Sequence, residues 1–287
     1  MEIAKYPDSV EVCMDFRSYL HPKFQGLTDG ISEYTFANIF LFRHQHFYHL
    51  SMLSNELLLI SGKDDNEQFF MLPFGLPDDQ ILRELFKRFA IMKAVPETYA
   101  IELNKKGYTI LLDRDNFDYL YSRQDLANLN GRKFHKKKNL VNTFLRNNHC
   151  QSKPLLEEYK DDAVEVLETW REQHKNEADY LSAKEALEKM WQLQLCGGIF
   201  YINEKPVAYC LGEEIANGKS FVLHFEKSEV NDKYKGIYQY INQSFVSLLP
   251  EKYETVNREQ DLGILGLRHA KESYNPIGFI KKYKVFK

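Results

Sequence analysis

The amino-acid sequence predicts an α+β protein with two lobes, 1–118 and 119–287, each a mixed, mostly antiparallel sheet flanked by helices. Three observations lead to this prediction. The 287-residue length suits about two domains at roughly 150 residues each. Hydrophobic residues make up 44% of the chain and charged residues 28%, which is enough apolar surface for buried cores. The order helix, antiparallel strands, helix, strand also occurs twice, although the residues themselves do not repeat.

The elements of the first lobe follow from the spacing of its apolar residues. An aromatic-rich helix is expected over 33–43, and a helix over 78–93 carries its apolar side chains on one side. Strands are expected over the short β-prone runs 46–53, 57–61, 68–74 and 108–112. The polar turn 63–66 lies between two of these strands and predicts a hairpin.

The second lobe has longer elements. Helices are expected over 132–146, 155–174, 236–249 and 262–272. A further helix should begin at the capping box formed by Ser182 and Glu185 and stop at Gly197 and Gly198. Strands are expected over 198–202, 207–213, 220–226, 253–257 and 278–286.

Composition and charge exclude several classes of protein. The formal net charge is −3, so a nucleic-acid or phosphate partner requires a local basic patch. The four cysteines are too widely spaced for a zinc ribbon or a disulfide scaffold. His44, His46 and His49 lack the partner spacing of a metal motif, so no metal is expected. The sequence shows no apolar segment of signal-peptide or membrane-spanning length, and we expect a soluble, cytoplasmic protein.

Basic residues are concentrated in 123–153, which has eight Lys and Arg and a single acid. The centre of this block is GRKFHKKKN (131–139). On a helix, Lys138 would lie in an apolar stripe with Phe134 and Val141. A lysine in such a stripe either extends to water or binds a phosphate or carboxylate, and both alternatives remain open.

A second candidate motif follows the strand that ends in His224 and Glu226. Three antiparallel strands, a glycine-containing loop and a helix are the layout of the GCN5-related acetyltransferase fold, in which the loop holds the pyrophosphate of coenzyme A. Gly236 matches the glycine of that loop, whereas Tyr238 replaces its last small residue and crowds the backbone. An ordinary helix start after a turn is the alternative.

The third candidate is the polar segment 257–276, where a predicted strand ends and a helix begins. Such positions favour ligand sites in sheet proteins. Arg268, Lys271 and Tyr274 follow helical spacing, so they can share a face. Glu259 and Asp261 can alternatively cap the helix and pair with nearby arginines.

These segments together resemble a known family. The sequences GRKFHKKKN (131–139), HFEK (224–227), GIYQYIN (236–242) and NREQDLGILGLRHAK (257–271) are similar to an uncharacterised bacterial family classed with the C-terminal domain of phosphatidylglycerol lysyltransferases. The end of that domain is also matched by Arg268, Lys271, Tyr274, Pro276 and the pair Lys282 and Tyr283. The resemblance implies tandem acetyltransferase-like lobes. It also implies kinship with Fem-type enzymes, which move an aminoacyl group from tRNA to a lipid or to peptidoglycan.

From these motifs we derive candidate residues for each role. Contacts to an oxyanion or a phosphate are assigned to basic side chains, namely Arg258, Arg268, Lys271 and Lys138. The acid–base role is assigned to Glu226 or Asp261. Substrate or phosphate binding is assigned to residues in or next to the motifs, namely Lys137, Lys138, His224, Gly236, Tyr238, Asn242, Asn257 and Tyr274.

Three hypotheses for function remain open at this point. The first is a transferase that uses aminoacyl-tRNA as donor, binds tRNA through the basic patch and acylates an amine or hydroxyl of a lipid or cell-wall precursor. The second is an N-acyltransferase that uses an acyl-coenzyme A, against which Tyr238 argues. The third is a non-catalytic module that binds phosphate or tRNA on the same fold.

Overall fold

The computed structural model describes residues 2–54, 56–65, 67–174 and 179–287. The α-helices are α1 (Arg17–Gln25), α2 (Phe36–Leu41), α3 (Arg43–His46), α4 (Asp79–Arg88), α5 (Glu97–Lys105), α6 (Arg123–Asn128), α7 (His135–Asn147), α8 (Lys160–Gln173), α9 (Tyr180–Leu193), α10 (Ile237–Leu248) and α11 (Leu265–Glu272). The strands are β1 (Val10–Glu11), β2 (His49–Met52), β3 (Leu58–Asp64), β4 (Glu67–Met71), β5 (Ile91–Val95), β6 (Thr109–Leu112), β7 (Asp118–Ser122), β8 (Cys150–Pro154), β9 (Cys196–Ile202), β10 (Lys205–Ile215), β11 (Ser220–Ser228), β12 (Thr255–Asn257), β13 (Gly278–Ile280) and β14 (Tyr283–Phe286).

The strands form two mixed sheets of seven strands each. The first has the order β1-β2-β3-β4-β5-β14-β6, and the second has the order β13-β7-β12-β11-β10-β9-β8. Within the described residues, each sheet has one parallel pair of strands, β4 with β5 and β11 with β12. Helix α4 joins the first parallel pair and α10 joins the second. The predicted α+β class with two acetyltransferase-like lobes is confirmed.

The chain crosses between the two sheets twice. After β6 in the first sheet it enters the second at β7, and after β13 in the second sheet it returns to the first at β14. The single strand predicted over 278–286 is therefore wrong, because two strands of different sheets occupy this range. The two crossing segments are neighbours, since the Asp113 amide donates to the Lys282 carbonyl at 2.9 Å.

One helix end and several whole elements differ from the prediction. The helix expected over 78–93 ends at Arg88, because Phe89 is extended and the following residues form β5. The strands β1, β5, β7 and β8 and the helices α1, α3, α5 and α6 were not predicted. The hairpin of β3 and β4 is confirmed, although Asn66 of its predicted turn lies outside the described residues.

The predicted limits of α9 are also wrong. Ser182 does not cap the helix, because α9 begins two residues earlier and the Ser182 hydroxyl donates to the Leu41 carbonyl at 2.9 Å. The helix ends at Leu193, and Gly197 belongs to β9. A side chain at Gly197 would collide with the Cys210 carbonyl of β10, so strand pairing explains this glycine.

One hydrophobic core connects elements from both halves of the chain. It contains Leu20 of α1 and Phe40 of α2, together with Leu167 of α8 and Leu187 of α9. Burying such side chains stabilises the folded state by about 1.5–3 kcal/mol each. The shared core holds the first-half helices against the second sheet, which carries the candidate site.

Candidate functional site

In the second sheet, the neighbouring strands β11 and β12 diverge at one end. Their parallel pairing ends at Val222 opposite Asn257. His224 is then an extra residue in β11, a β-bulge, because the register against β10 shifts at this point. A bulge bends its strand, so the end of β11 diverges from the chain that follows β12. The side chains of Glu226 and Arg258 meet across this divergence.

Glu226 and Arg258 form a largely buried ion pair. Arg258 Nη2 donates to Glu226 Oε2 at 2.5 Å, and the two side chains are 13% and 14% exposed, respectively. The guanidinium also lies 4.8 Å from the centre of the Tyr274 ring. Glu226 Oε1 and Arg258 Nη1 are buried and have no hydrogen-bond partner among the described residues. One acceptor and one donor of the pair are therefore left for a further group.

Two lysines flank this ion pair. Burial and the positive charge of Arg258 lower the pKa of Lys271 to about 8, and the same two causes lower the pKa of Lys137 to about 8. Lys271 Nζ donates to the Arg258 carbonyl and, at 3.2 Å, to the Glu259 carbonyl. Lys137 Nζ lies 4.0 Å from the centre of the Tyr274 ring. A fraction of each amine is therefore neutral near pH 8.

Lys137, and not Lys138, is the inward-facing lysine of α7. Lys138 is exposed and donates to Asn130 Oδ1 at 3.2 Å, so its predicted place in the apolar stripe is wrong. The helix begins at His135, after a short 3-10 turn that contains Phe134. Because Phe134 is not part of α7, counting residues from it does not show which side chains of α7 share a face. Within the helix, Lys137 shares the face of Val141.

Helix α10 packs beside the ion pair. The predicted glycine-containing loop comes immediately before this helix. Gly236 has a φ of 95°, and a Cβ there would collide with the Leu140 carbonyl of α7. Close packing of α7 on α10 therefore explains this glycine. Burial raises the pKa of Tyr238 to about 12. Asn242, one turn further along α10, is buried, and its amide atoms have no partner in the part of the chain that the structure describes.

His224 is held by two carboxylates. Its Nδ1 lies 2.7 Å from Glu259 Oε1, and its Nε2 lies 3.0 Å from Glu213 Oε1. Burial alone would lower the pKa of His224, but the hydrogen bonds and charges of Glu213 and Glu259 outweigh it and raise the pKa to about 10. The imidazolium is therefore a fixed positive charge at neutral pH that holds Glu259 in place.

Asp261 and Arg268 lie apart from the Glu226–Arg258 pair. Asp261 is fully buried and accepts hydrogen bonds from Arg268, Arg114, Tyr119 and the Gly263 amide. Burial favours its neutral form, but Arg268 and Tyr119 outweigh it and hold the pKa of Asp261 well below its ordinary value. A carboxylate that is held ionised in this way is a poor proton-transfer group at neutral pH, which argues against Asp261 in that role.

Asn257 joins the lobes rather than facing the site. Its Nδ2 donates to the Gly30 carbonyl at 3.0 Å and to Asp118 Oδ2 at 3.1 Å, and its Oδ1 accepts from the Glu259 amide at 2.7 Å. All of its side-chain oxygen and nitrogen atoms are thus engaged in holding the segment after β12.

The structure brings together Glu226, Arg258, Lys271, Lys137 and Tyr274, with Tyr238 and Asn242 on the adjoining helix. Tyr121 of β7, whose ring lies 5.9 Å from the Arg258 guanidinium, was not predicted. Its segment was not recognised as a strand, so no pattern pointed to it. Within the described ranges, no group of three or more His, Cys, Asp or Glu is placed to hold a metal ion.

Solved structures of other proteins share this fold. A conserved protein of unknown function from Bacteroides thetaiotaomicron is 26% identical, with a TM-score of 0.87 over 97% of this chain and 99% of that chain. L-PGS from Bacillus licheniformis is 14% identical, with a TM-score of 0.64 over 100% of this chain and 94% of that chain. FemX is 8% identical, with a TM-score of 0.62 over 96% of each chain.

The amino-acid sequence is also similar to one other protein and to one family model. It is 22% identical over 195 residues to an uncharacterised protein, MYCGA3080, of Mycoplasmoides gallisepticum. That match covers 64% of this chain and 61% of the length of the relative. No helix in the described part of the chain is long and apolar enough to cross a membrane. A family model described as phosphatidylglycerol lysyltransferase, C-terminal, matches residues 24–286. The chain therefore belongs to the phosphatidylglycerol lysyltransferase C-terminal family.

Proposed function

We propose that the protein is a transferase that moves an aminoacyl group from aminoacyl-tRNA to an amine or hydroxyl acceptor. Family membership supports a transferase-like function. The observation that carries the proposal is the buried Glu226–Arg258 pair, which lies between two lysines of lowered pKa where β11 and β12 part.

The reaction makes two demands on the site. The acceptor nitrogen or oxygen attacks the ester carbonyl of the aminoacyl-tRNA, and negative charge develops on the carbonyl oxygen. The acceptor loses a proton, the ester C–O bond breaks, and the ribose oxygen leaves with a proton. A site for this chemistry therefore needs a fixed positive charge at the oxygen and a group that accepts and returns a proton.

Arg258 and Lys271 meet these two demands. The guanidinium stays charged at any working pH, and its free Nη1 can donate to the developing oxyanion. Lys271 has a pKa of about 8, so its neutral amine can take the proton of the acceptor and return it to the ribose oxygen. Because Glu226 is paired with Arg258, we assign proton transfer to Lys271 rather than to Glu226.

The outer face of α7 is suited to the phosphates of the donor. Lys136 and Lys138 are exposed on α7, the helix that carries the inward-facing Lys137, and Arg132 and Lys133 are exposed in the 3-10 turn that precedes it. Phosphate contacts of this kind are salt-dependent. With about four contacts, we expect log K for tRNA to fall with log salt with a slope on the order of −3.

The coenzyme A alternative finds less support. The glycine of the predicted pyrophosphate loop packs against the Leu140 carbonyl, and the half-buried Tyr238 follows it. Two groups thus occupy the space next to the backbone that a pyrophosphate would approach.

The test uses bulk tRNA charged with labelled amino acids. Phosphatidylglycerol vesicles and a soluble muramyl-pentapeptide precursor are offered separately as acceptors, and label in each acceptor is counted. We expect label in one acceptor, and an approximately 100-fold or larger loss with Arg258→Lys, because a flexible ammonium does not replace the planar donor. The exposed variant Lys106→Arg serves as control. Label in neither acceptor, together with consumption of acetyl-coenzyme A, contradicts the proposal.

A further inference from the structure

The free atoms of the buried ion pair indicate what group the site holds. Glu226 Oε1 can only accept hydrogen bonds, and Arg258 Nη1 can only donate them. Both atoms are buried and without a partner among the described residues. Leaving such atoms unsatisfied destabilises the folded state, so binding of a group that satisfies both at once is favoured.

An α-aminoacyl group carries matching atoms next to each other. Its α-ammonium is a cationic donor, and its carbonyl oxygen, separated from that nitrogen by two carbon atoms, is an acceptor. A carboxylate favours an ammonium over a neutral amide N–H, because the hydrogen bond is then charge-assisted on both sides.

We propose that the Glu226–Arg258 pair recognises the α-aminoacyl group itself, with Glu226 Oε1 accepting from the α-ammonium and Arg258 Nη1 donating to the carbonyl oxygen. This inference rests on the proposed function and adds a requirement to it. The donor must carry a free α-amine, whatever its side chain.

The surroundings of the pair agree with this assignment. The Tyr274 and Tyr121 rings pack on the guanidinium at 4.8 and 5.9 Å, which fixes its plane. The nearest lysines, Lys137 and Lys271, have lowered proton affinity beside Arg258, so they compete less for the carboxylate of Glu226 than ordinary lysines would. The carboxylate thus keeps its free oxygen for a cationic ligand.

The experiment compares bulk aminoacyl-tRNA with the same material acetylated at the α-amine. We expect acetylation to lower transfer by about tenfold or more in the native protein, since a hydrogen bond to a charged group is lost. Glu226→Gln should lower transfer from the free form and abolish most of this discrimination. Glu226→Asp, which keeps the charge, should retain the preference for the free amine at a reduced rate.

A matched control exists in the ion pair between the half-exposed Lys205 and the largely buried Glu229, three residues after Glu226, whose charged atoms lie 2.7 Å apart. Glu229→Gln should leave both transfer and discrimination unchanged, and thermal melting shows whether each variant is folded. Equal transfer from free and acetylated donors by the native protein overturns the inference while leaving the transferase function intact.

A second measurement covers the case in which no transfer occurs and the proposed function fails. A panel of L-α-amino acid amides and their N-acetyl forms is titrated into the protein and followed by calorimetry. Saturable binding of one or more free amides, absent for their acetylated forms and lost in Glu226→Gln, supports the inference. Absence of binding by any free amide overturns it.

Discussion

Lys282 Nζ donates to Asp118 Oδ1 at 2.7 Å, and the two side chains, 1% and 0% exposed, come from the two segments where the chain crosses between the sheets. Glu33 and Ser32 of the first lobe bind the same cluster. A buried ion pair contributes little net stability compared with apolar residues, but removing one partner leaves a buried charge uncompensated. We therefore expect this cluster to hold the two crossing segments in one defined position.

Lys282→Met should strongly destabilise the protein, because Asp118 would remain buried without its cation. We expect a decrease of about 3–5 kcal/mol in the free energy of unfolding, measured by urea titration. The adjacent Lys281 provides the control, since its ion pair with Glu97 is about half exposed on both sides. Lys281→Met should change stability little. Equal effects of the two substitutions would show that the buried cluster is not important for stability.

Two glycines should respond to alanine in opposite directions. Gly236→Ala places a Cβ against the Leu140 carbonyl at a φ of 95°, so α7 and α10 must separate or the turn must change. We expect a decrease of at least about 1–3 kcal/mol in stability. Gly266→Ala in α11 meets no atom within 4 Å and should stabilise the protein by up to about 1 kcal/mol. Thermal melting compares the two variants, and a tolerated Gly236→Ala would refute the packing explanation.

The stabilisation provided by His224 should depend on pH. The folded state raises its pKa from 6.5 to about 10, so the folded protein keeps a proton that the unfolded chain releases between these values. The contribution is therefore complete below about pH 6.5 and is lost as the pH rises to about 10. The stability difference between native protein and His224→Gln should be on the order of a few kcal/mol near pH 6.5 and shrink by pH 10. A constant difference across this range would show that His224 is not held as a cation.

Transfer should become faster as the pH rises through about 8. The proposed proton acceptor, Lys271, has a pKa of about 8 and acts only after it has lost its own proton. Lys271→Arg keeps the positive charge but cannot release a proton, so transfer should fall by about 100-fold or more and its rise near pH 8 should disappear. Initial rates from pH 6.5 to 9 measure this effect. An unchanged profile in Lys271→Arg would assign the proton transfer to another group.

Local patterns in the sequence were sufficient for many elements and for the candidate residues around the site. The strands β9, β10 and β11 and the helix α10 lie close to their predicted ranges, because strong apolar periodicity marks them. Glu226, Arg258, Lys271 and Tyr274 were identified from polar segments at the ends of these elements. Their grouping required the fold, because Glu226 belongs to β11, whereas Arg258, Lys271 and Tyr274 belong to the segment 257–276.

The predictions that were wrong concern features that depend on contacts between residues far apart in the sequence. Strand pairing is non-local, so nothing within 283–286 indicates that it belongs to the first sheet. Which of Lys137 and Lys138 faces inward depends on where α7 begins. A 3-10 turn precedes His135, so the helix begins later than the sequence predicted. Asp261 looked like a proton-transfer group because its partners, Arg114 and Tyr119, lie far away in the sequence.

The position of β14 has a consequence for synthesis on the ribosome. In the finished sheet, β14 lies between β5 and β6, and within the described residues it is the strand to which β6 is paired. Translation proceeds from the amino terminus, so β6 is made early and must wait while residues 113–282 are added. During that interval the edge of β5 is also unpaired, and open strand edges promote aggregation. The nascent chain is therefore expected to need protection by a chaperone until β14 has emerged.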